Sequence, residues 1–74
     1  MIKCGIIGAG AWGSAISTVI KSDEIFIWSR NQKVTTQINK KKFNSYLKGI
    51  VLPKNLLATS NFQDLKKCNY FFIT

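Results

Sequence analysis

The stretch Ile2-Lys3-Cys4-Gly5-Ile6-Ile7-Gly8-Ala9-Gly10-Ala11-Trp12-Gly13-Ser14-Ala15-Ile16-Ser17-Thr18-Val19-Ile20-Lys21 changes its hydrophobic period part-way along. Ile2 to Ile7 is apolar, rich in β-branched residues and closed by glycine, which predicts a short strand. From Ala11 to about Lys21 the period is helical, with Ala15, Ile16, Val19 and Ile20 on one side. Gly8, Gly10 and Gly13 join the two segments as G-x-G-x-x-G.

Each glycine in that spacing has a physical task. Gly8 permits a sharp turn out of the strand. Gly10 lacks a Cβ, so its backbone can approach a pyrophosphate. Gly13 lets the helix pack closely on the strand. A helix starting here points free N–H groups and a partial positive charge at the phosphates. The motif alone is weak; an apolar strand before it and an amphipathic helix after it make it a dinucleotide-binding signal. The competing reading is a glycine-rich turn with no ligand.

Further along, Ser22-Asp23 breaks the helix and Ile25 to Trp28 reads as a second strand, short enough to be buried on both faces. Arg30-Asn31 opens a loop. A second helix is expected over Gln32 to Phe43, with Val34, Ile38 and the stem of Lys41 inward. Asn44 to Asn55 is irregular and holds Gly49 and Pro53. Leu56 to Thr59 is a brief third strand. Ser60 is expected to cap a short helix from Asn61 to about Lys67, with Gln63 at N3 of a capping box. Tyr70 to Ile73 is the fourth strand. The order β-α-β-α-β-α-β predicts an α/β fold: a Rossmann-type parallel sheet of about four strands and three helices. The fourth strand has no following helix, so the pattern reads as a fold interrupted part-way.

An acidic residue about 20 residues beyond the glycine turn, at the end of the second strand, would bind the ribose 2′-OH of NAD. Here the positions hold Ser29 and Arg30, while Asp23 and Glu24 come before the strand. No carboxylate repels a 2′-phosphate, and the planar, permanently charged guanidinium of Arg30 suits one. Ser29 offers a hydroxyl. The expected cofactor is NADP or NAD, with NADP(H) preferred or at least tolerated. The plainer reading of Arg30 is a surface arginine. Trp12 is large for a phosphate turn; packing beside the cofactor, plugging the groove and core packing all remain open. Trp28 is expected in the core.

Composition bounds the alternatives. The chain has 74 residues, 46% hydrophobic, with a formal charge of +8 and a pI near 9.9. This is one small, marginal domain at most. No apolar run reaches the length of a membrane span, and glycines interrupt the only signal-peptide-like stretch. The two cysteines, Cys4 and Cys68, lack metal-type spacing and there is no histidine, which excludes a Cys-His zinc site. Two buried reduced thiols are expected, fitting a reducing, cytoplasmic setting; sequence leaves a disulfide between them open. The run Lys40, Lys41, Lys42 is read as a solvated helix end rather than a nucleic-acid patch.

At this point the residues resemble a known family. Ile6-Ile7-Gly8-Ala9-Gly10-Ala11-Trp12-Gly13-Ser14-Ala15 is similar to the opening of bacterial NAD(P)-dependent glycerol-3-phosphate dehydrogenase. So are Ile27-Trp28-Ser29-Arg30-Asn31, Asn44-Ser45-Tyr46-Leu47, Leu52-Pro53-Lys54-Asn55-Leu56 and Ala58-Thr59. Ser14 stands where threonine is frequent and Lys48 where proline is frequent. The resemblance implies reversible reduction of dihydroxyacetone phosphate to sn-glycerol 3-phosphate, a phospholipid precursor. It implies cofactor contacts from Trp12 and Arg30, with Ala11 and Ser14 contributing through backbone. It also implies that the catalytic lysines, the substrate-phosphate contacts and a helical substrate domain lie outside this chain. No catalytic residue is assigned, and the sequence reads as a nucleotide-binding fragment. Competing readings are a stand-alone nucleotide-binding module, part of another Rossmann dehydrogenase, and a small basic nucleic-acid binder.

Overall fold

A computed structural model describes residues 2–42 and 51–74, the side chains of Ala11 and Lys41 apart. The elements follow the expected order: β1 (Lys3–Ile7), α1 (Ala11–Val19), β2 (Glu24–Trp28), α2 (Gln32–Lys41), β3 (Leu56–Thr59), a 3-10 helix (Phe62–Lys67) and β4 (Tyr70–Ile73). The strands form one sheet in the order β3-β2-β1-β4, and every pair is parallel. Strand order reverses between β1 and β4, so a crevice opens at the carboxyl ends of these strands, where doubly wound sheets bind ligands.

The register sorts the side chains. Cys4 lies opposite Ile25 and Ile6 opposite Ile27, while Leu56 and Ala58 continue the same two rows on β3. All six are buried and form one core with Val34 and Ile38 of α2 and with Leu52. Ile16 and Ile20 pack against it from α1. Both α-helices therefore cover one face of the sheet. The other face carries Leu65 of the 3-10 helix, which is buried, and Phe71, whose ring lies over Gly5. Ile73 there is 81% exposed.

Three local expectations are corrected. Val19 is 75% exposed, and the inner face of α1 holds Gly13, Ser14 and Ser17 instead. Small residues bring the helix close to the sheet, and the Ser17 hydroxyl donates to the Ser14 carbonyl at 2.6 Å, which satisfies it without a partner elsewhere. The third helix is a 3-10 helix capped by Asn61, not Ser60: the Asn61 side chain accepts from the Gln63 N–H at 3.0 Å. Asn favours this role at least as strongly as Ser. Trp28 is half-buried rather than core; its indole donates to the Ser60 carbonyl at 3.2 Å and its ring meets Phe62 edge-on. Helix α2 ends at Lys41, and Phe43 and Asn44 to Leu47 fall outside the described residues.

The β3 edge is closed by side chains. Asn39 donates through its amide to the Ala58 carbonyl and accepts from the Ala58 N–H, both at 2.8 Å, and Lys42 Nζ donates to the Leu56 carbonyl. An unpaired edge is a template for unwanted pairing, and these contacts occupy it. Cys4 and Cys68 carry free thiols; Cys4 is buried as expected, whereas Cys68 is only half-buried. Among the described residues no helix is long and apolar enough to cross a membrane.

Candidate nucleotide-binding site

The glycine turn sits at the carboxyl end of β1 and its geometry follows from its residues. Gly8 has φ of +113°, a conformation that only glycine adopts without strain. A Cβ there would also lie 2.5 Å from Thr74 Oγ1. A Cβ on Gly13 would overlap the Gly8 carbonyl oxygen, so the first turn of α1 is pressed directly onto the glycine turn. Gly10 is different: nothing lies within 4 Å of the position its Cβ would take. Its backbone faces open space at the start of α1.

Gly10 is the N-cap of α1, and no side chain caps the helix there. Helix geometry leaves the N–H groups of residues 11–13 without intrahelical acceptors, and the first turn carries no acidic side chain. The Ser14 N–H is the first to close, onto the Gly10 carbonyl at 3.0 Å. Ala11 enters the site through that backbone. Trp12 is 79% exposed beside it, which rules out core packing. Thr74, which sequence reasoning missed, pins the turn: its N–H and hydroxyl both donate to the Ile7 carbonyl, at 3.0 and 3.1 Å. Nothing in the local sequence marks it, because the contact exists only once β4 pairs with β1.

The end of β2 lies against this turn. The Gly8 N–H donates to the Trp28 carbonyl at 2.9 Å. Ser29 follows, half-buried, and its N–H donates to the Thr59 carbonyl at 3.0 Å. Its hydroxyl oxygen accepts from the Asn31 N–H at 3.1 Å and keeps its own proton to donate. Arg30 is exposed beyond the carboxyl end of β2, shortly before α2, whose N-cap Asn31 accepts from the Lys33 N–H. Of the three acidic residues, Asp23 sits with Glu24 at the opposite end of β2, where it accepts from the Ile2 N–H. The third, Asp64, accepts from Thr59 Oγ1 at 2.6 Å.

The fold thus brings Gly8, Gly10, Ala11, Trp12, Gly13, Ser29 and Arg30 to one carboxyl edge. The donor set is backbone N–H groups, a hydroxyl and a guanidinium, which fits phosphate. Lys40 is exposed on the far side of α2, with Lys33 and Gln37 around a shallow open depression, while Lys42 is engaged at β3. Lys40 therefore faces solvent, while the Lys42 side chain is held by the fold.

Known proteins share this fold. Residues 3–74 match the family model described as NAD-dependent glycerol-3-phosphate dehydrogenase N-terminus. The chain is 39% identical over 62 residues to glycerol-3-phosphate dehydrogenase (NAD(P)+) of Corynebacterium diphtheriae, covering 80% of this chain and 19% of that protein. It is 40% identical over 67 residues to the enzyme of that name from Orientia tsutsugamushi, covering 86% and 20%. Among solved structures, glycerol-3-phosphate dehydrogenase from Coxiella burnetii superposes with a TM-score of 0.86 at 25% identity, over 97% of this chain and 23% of that one. The Saccharomyces cerevisiae enzyme superposes with a TM-score of 0.86 at 27% identity, over 99% and 26%. The chain spans about a fifth of the length of these curated relatives. The chain belongs to the family of the NAD-dependent glycerol-3-phosphate dehydrogenase N-terminus.

Proposed function

We propose that residues 1–74 are a partial NAD(P)-binding Rossmann domain, the nucleotide-binding part of a glycerol-3-phosphate dehydrogenase. The full-length form interconverts dihydroxyacetone phosphate and sn-glycerol 3-phosphate, a precursor of glycerophospholipids. The observation that carries the reading is the uncapped start of α1 at Gly10, open to solvent and pressed against the glycine turn.

In this reading the N–H groups of residues 11–13 bind the pyrophosphate, aided by the helix dipole. Gly10 keeps the approach clear. Arg30 and the Ser29 hydroxyl take the adenosine ribose, and with a guanidinium and no carboxylate there the site favours NADP(H) over NAD(H). Trp12 covers the cofactor from the crevice side. A nicotinamide dinucleotide held by these residues would supply the hydride chemistry. No residue of this chain is assigned to proton transfer, so the chain by itself binds and orients nucleotide without turnover. The two free thiols support a reducing, cytoplasmic setting.

The test is a titration of the 74-residue chain with NADPH and NADH, followed by tryptophan fluorescence with circular dichroism as the check on folding. Saturable quenching, tighter for NADPH and losing that preference in Arg30→Ala, is the expected outcome. A folded chain that gives no saturable response to either nucleotide contradicts the proposal.

A further inference from the structure

The strand end that carries Ser29 and Arg30 is held from two sides. On one side it bonds to the glycine turn through Trp28 and Gly8. On the other it leans on the short segment between β3 and the 3-10 helix. Thr59 lies opposite Trp28 in the register and accepts the Ser29 N–H at 3.0 Å. The Trp28 indole donates to the Ser60 carbonyl, and Trp28 and Phe62 meet edge-on with ring centres 5.4 Å apart. The Ser60 hydroxyl lies 3.5 Å from that of Thr35, in the first turns of α2.

One side-chain pair holds this segment in shape. Thr59 Oγ1 accepts from the Asn61 N–H at 3.0 Å and has a single proton to give. The Asp64 carboxylate takes it at 2.6 Å, a short charge-assisted bond, whereas the Asn61 carbonyl stands 3.4 Å away. Asp64 therefore fixes the rotamer of Thr59, and Thr59 fixes the path of the chain beneath Ser29. Asp64 is also the acidic residue nearest in the fold to this edge, yet its carboxylate is turned to a hydroxyl of the scaffold.

We infer that Asp64 and Thr59 are positioning residues for the β2 terminus, setting how well Ser29 and Arg30 meet a 2′-phosphate and hence the discrimination between NADPH and NADH. The inference rests on the proposed role of Arg30. Loosening the segment lets Arg30 wander while the pyrophosphate site at α1 stays intact. The effect falls on the nucleotide that carries the extra phosphate.

Calorimetric titration of the 74-residue chain with NADPH and with NADH reads this out, with the same titrations on Asp64→Ala, Asp64→Asn, Thr59→Val, Arg30→Ala and the Asp64→Ala/Arg30→Ala double variant. Asp64→Ala and Thr59→Val are expected to weaken NADPH by about fivefold, the value of one hydrogen bond, and NADH by less than about twofold. Asp64→Asn keeps an acceptor oxygen and restores the ratio. In the Arg30→Ala background Asp64→Ala adds no further loss of NADPH affinity, because it acts through Arg30. If Arg30→Ala leaves the NADPH to NADH ratio unchanged, the underlying role of Arg30 fails. If Arg30→Ala removes the preference while Asp64→Ala and Thr59→Val leave the ratio alone, or weaken both nucleotides equally, the positioning role is overturned. Should Asp64→Ala lose its far-ultraviolet dichroism, Thr59→Val and Asp64→Asn decide the matter.

Discussion

Gly13 stands so close beneath the Gly8 carbonyl that a Cβ at Gly13 would occupy the oxygen's own space. The two glycines are five positions apart and on different elements, and their contact is what seats α1 on the turn. Gly13→Ala is expected to destabilise the fold by about 2 kcal/mol or more, because backbone must move to admit the methyl group. Denaturant unfolding followed by circular dichroism checks this. In a domain of this size such a loss leaves little folded chain.

Gly10→Ala separates binding from folding. Its φ of −76° suits any residue and no atom lies within 4 Å of the new methyl group. Stability should change by less than about 1 kcal/mol, the difference between glycine and alanine as caps. Nucleotide affinity should fall at least about tenfold, since the methyl group would stand where the proposed function brings the pyrophosphate. A variant that folds and binds as well as the parent would show that the cofactor does not pass over Gly10.

Asn39→Ala should cost about 1–2 kcal/mol, because it removes both bonds to Ala58 and leaves the N–H and C=O of an edge strand unpaired. It should also increase self-association of the chain, measurable by sedimentation velocity, since the β3 edge is then free to pair. Asn39→Asp keeps only the acceptor half and should fall between the two.

The thiols give the fold an alkaline limit. Burial pushes the Cys4 thiol above its ordinary value, helped by Cys68 and opposed by a hydrogen bond from Tyr70. Burial likewise pushes Cys68 up, opposed by Lys3. A thiol with a raised folded pKa holds its proton more tightly in the folded state. Its contribution is complete below the unfolded value of about 8.5 and is lost as pH rises through the folded value. Stability measured by denaturant should therefore hold from neutral pH to about 8 and decline above about 9. The Cys4→Ala/Cys68→Ala variant should show a shallower decline; an unchanged slope would assign the alkaline loss to other groups.

Much of this was legible in the sequence because it is local. The glycine spacing, the change of period at Gly8 and the apolar runs at Ile25 and Tyr70 each announce themselves within a few residues. The register that unites Ser29 and Arg30 with the glycine turn follows from the parallel order those elements imply. What escaped reading depends on tertiary contact. Val19 is apolar and helical in spacing, yet Ser14 and Ser17 take the inner face because only small side chains fit beneath a helix held down by Gly13. Asn39 reads as a poor helix former, and its value appears only when β3 arrives beside it. Ser60 and Asn61 are both good caps, and the choice between them turns on the Ser60 carbonyl being claimed by Trp28. Thr74 and Asp64 carry no local signal.

In the proposed function the N–H groups of residues 11–13 receive the pyrophosphate of a nicotinamide dinucleotide. This is tested most directly by following the backbone amides of the isotopically labelled chain as NADPH is added. Saturable shifts are expected at Gly10, Ala11, Trp12 and Gly13, with a second group at Ser29 and Arg30. A folded spectrum in which those amides stay still, while shifts gather at Lys33 and Lys40 on the outer side of α2, would contradict it.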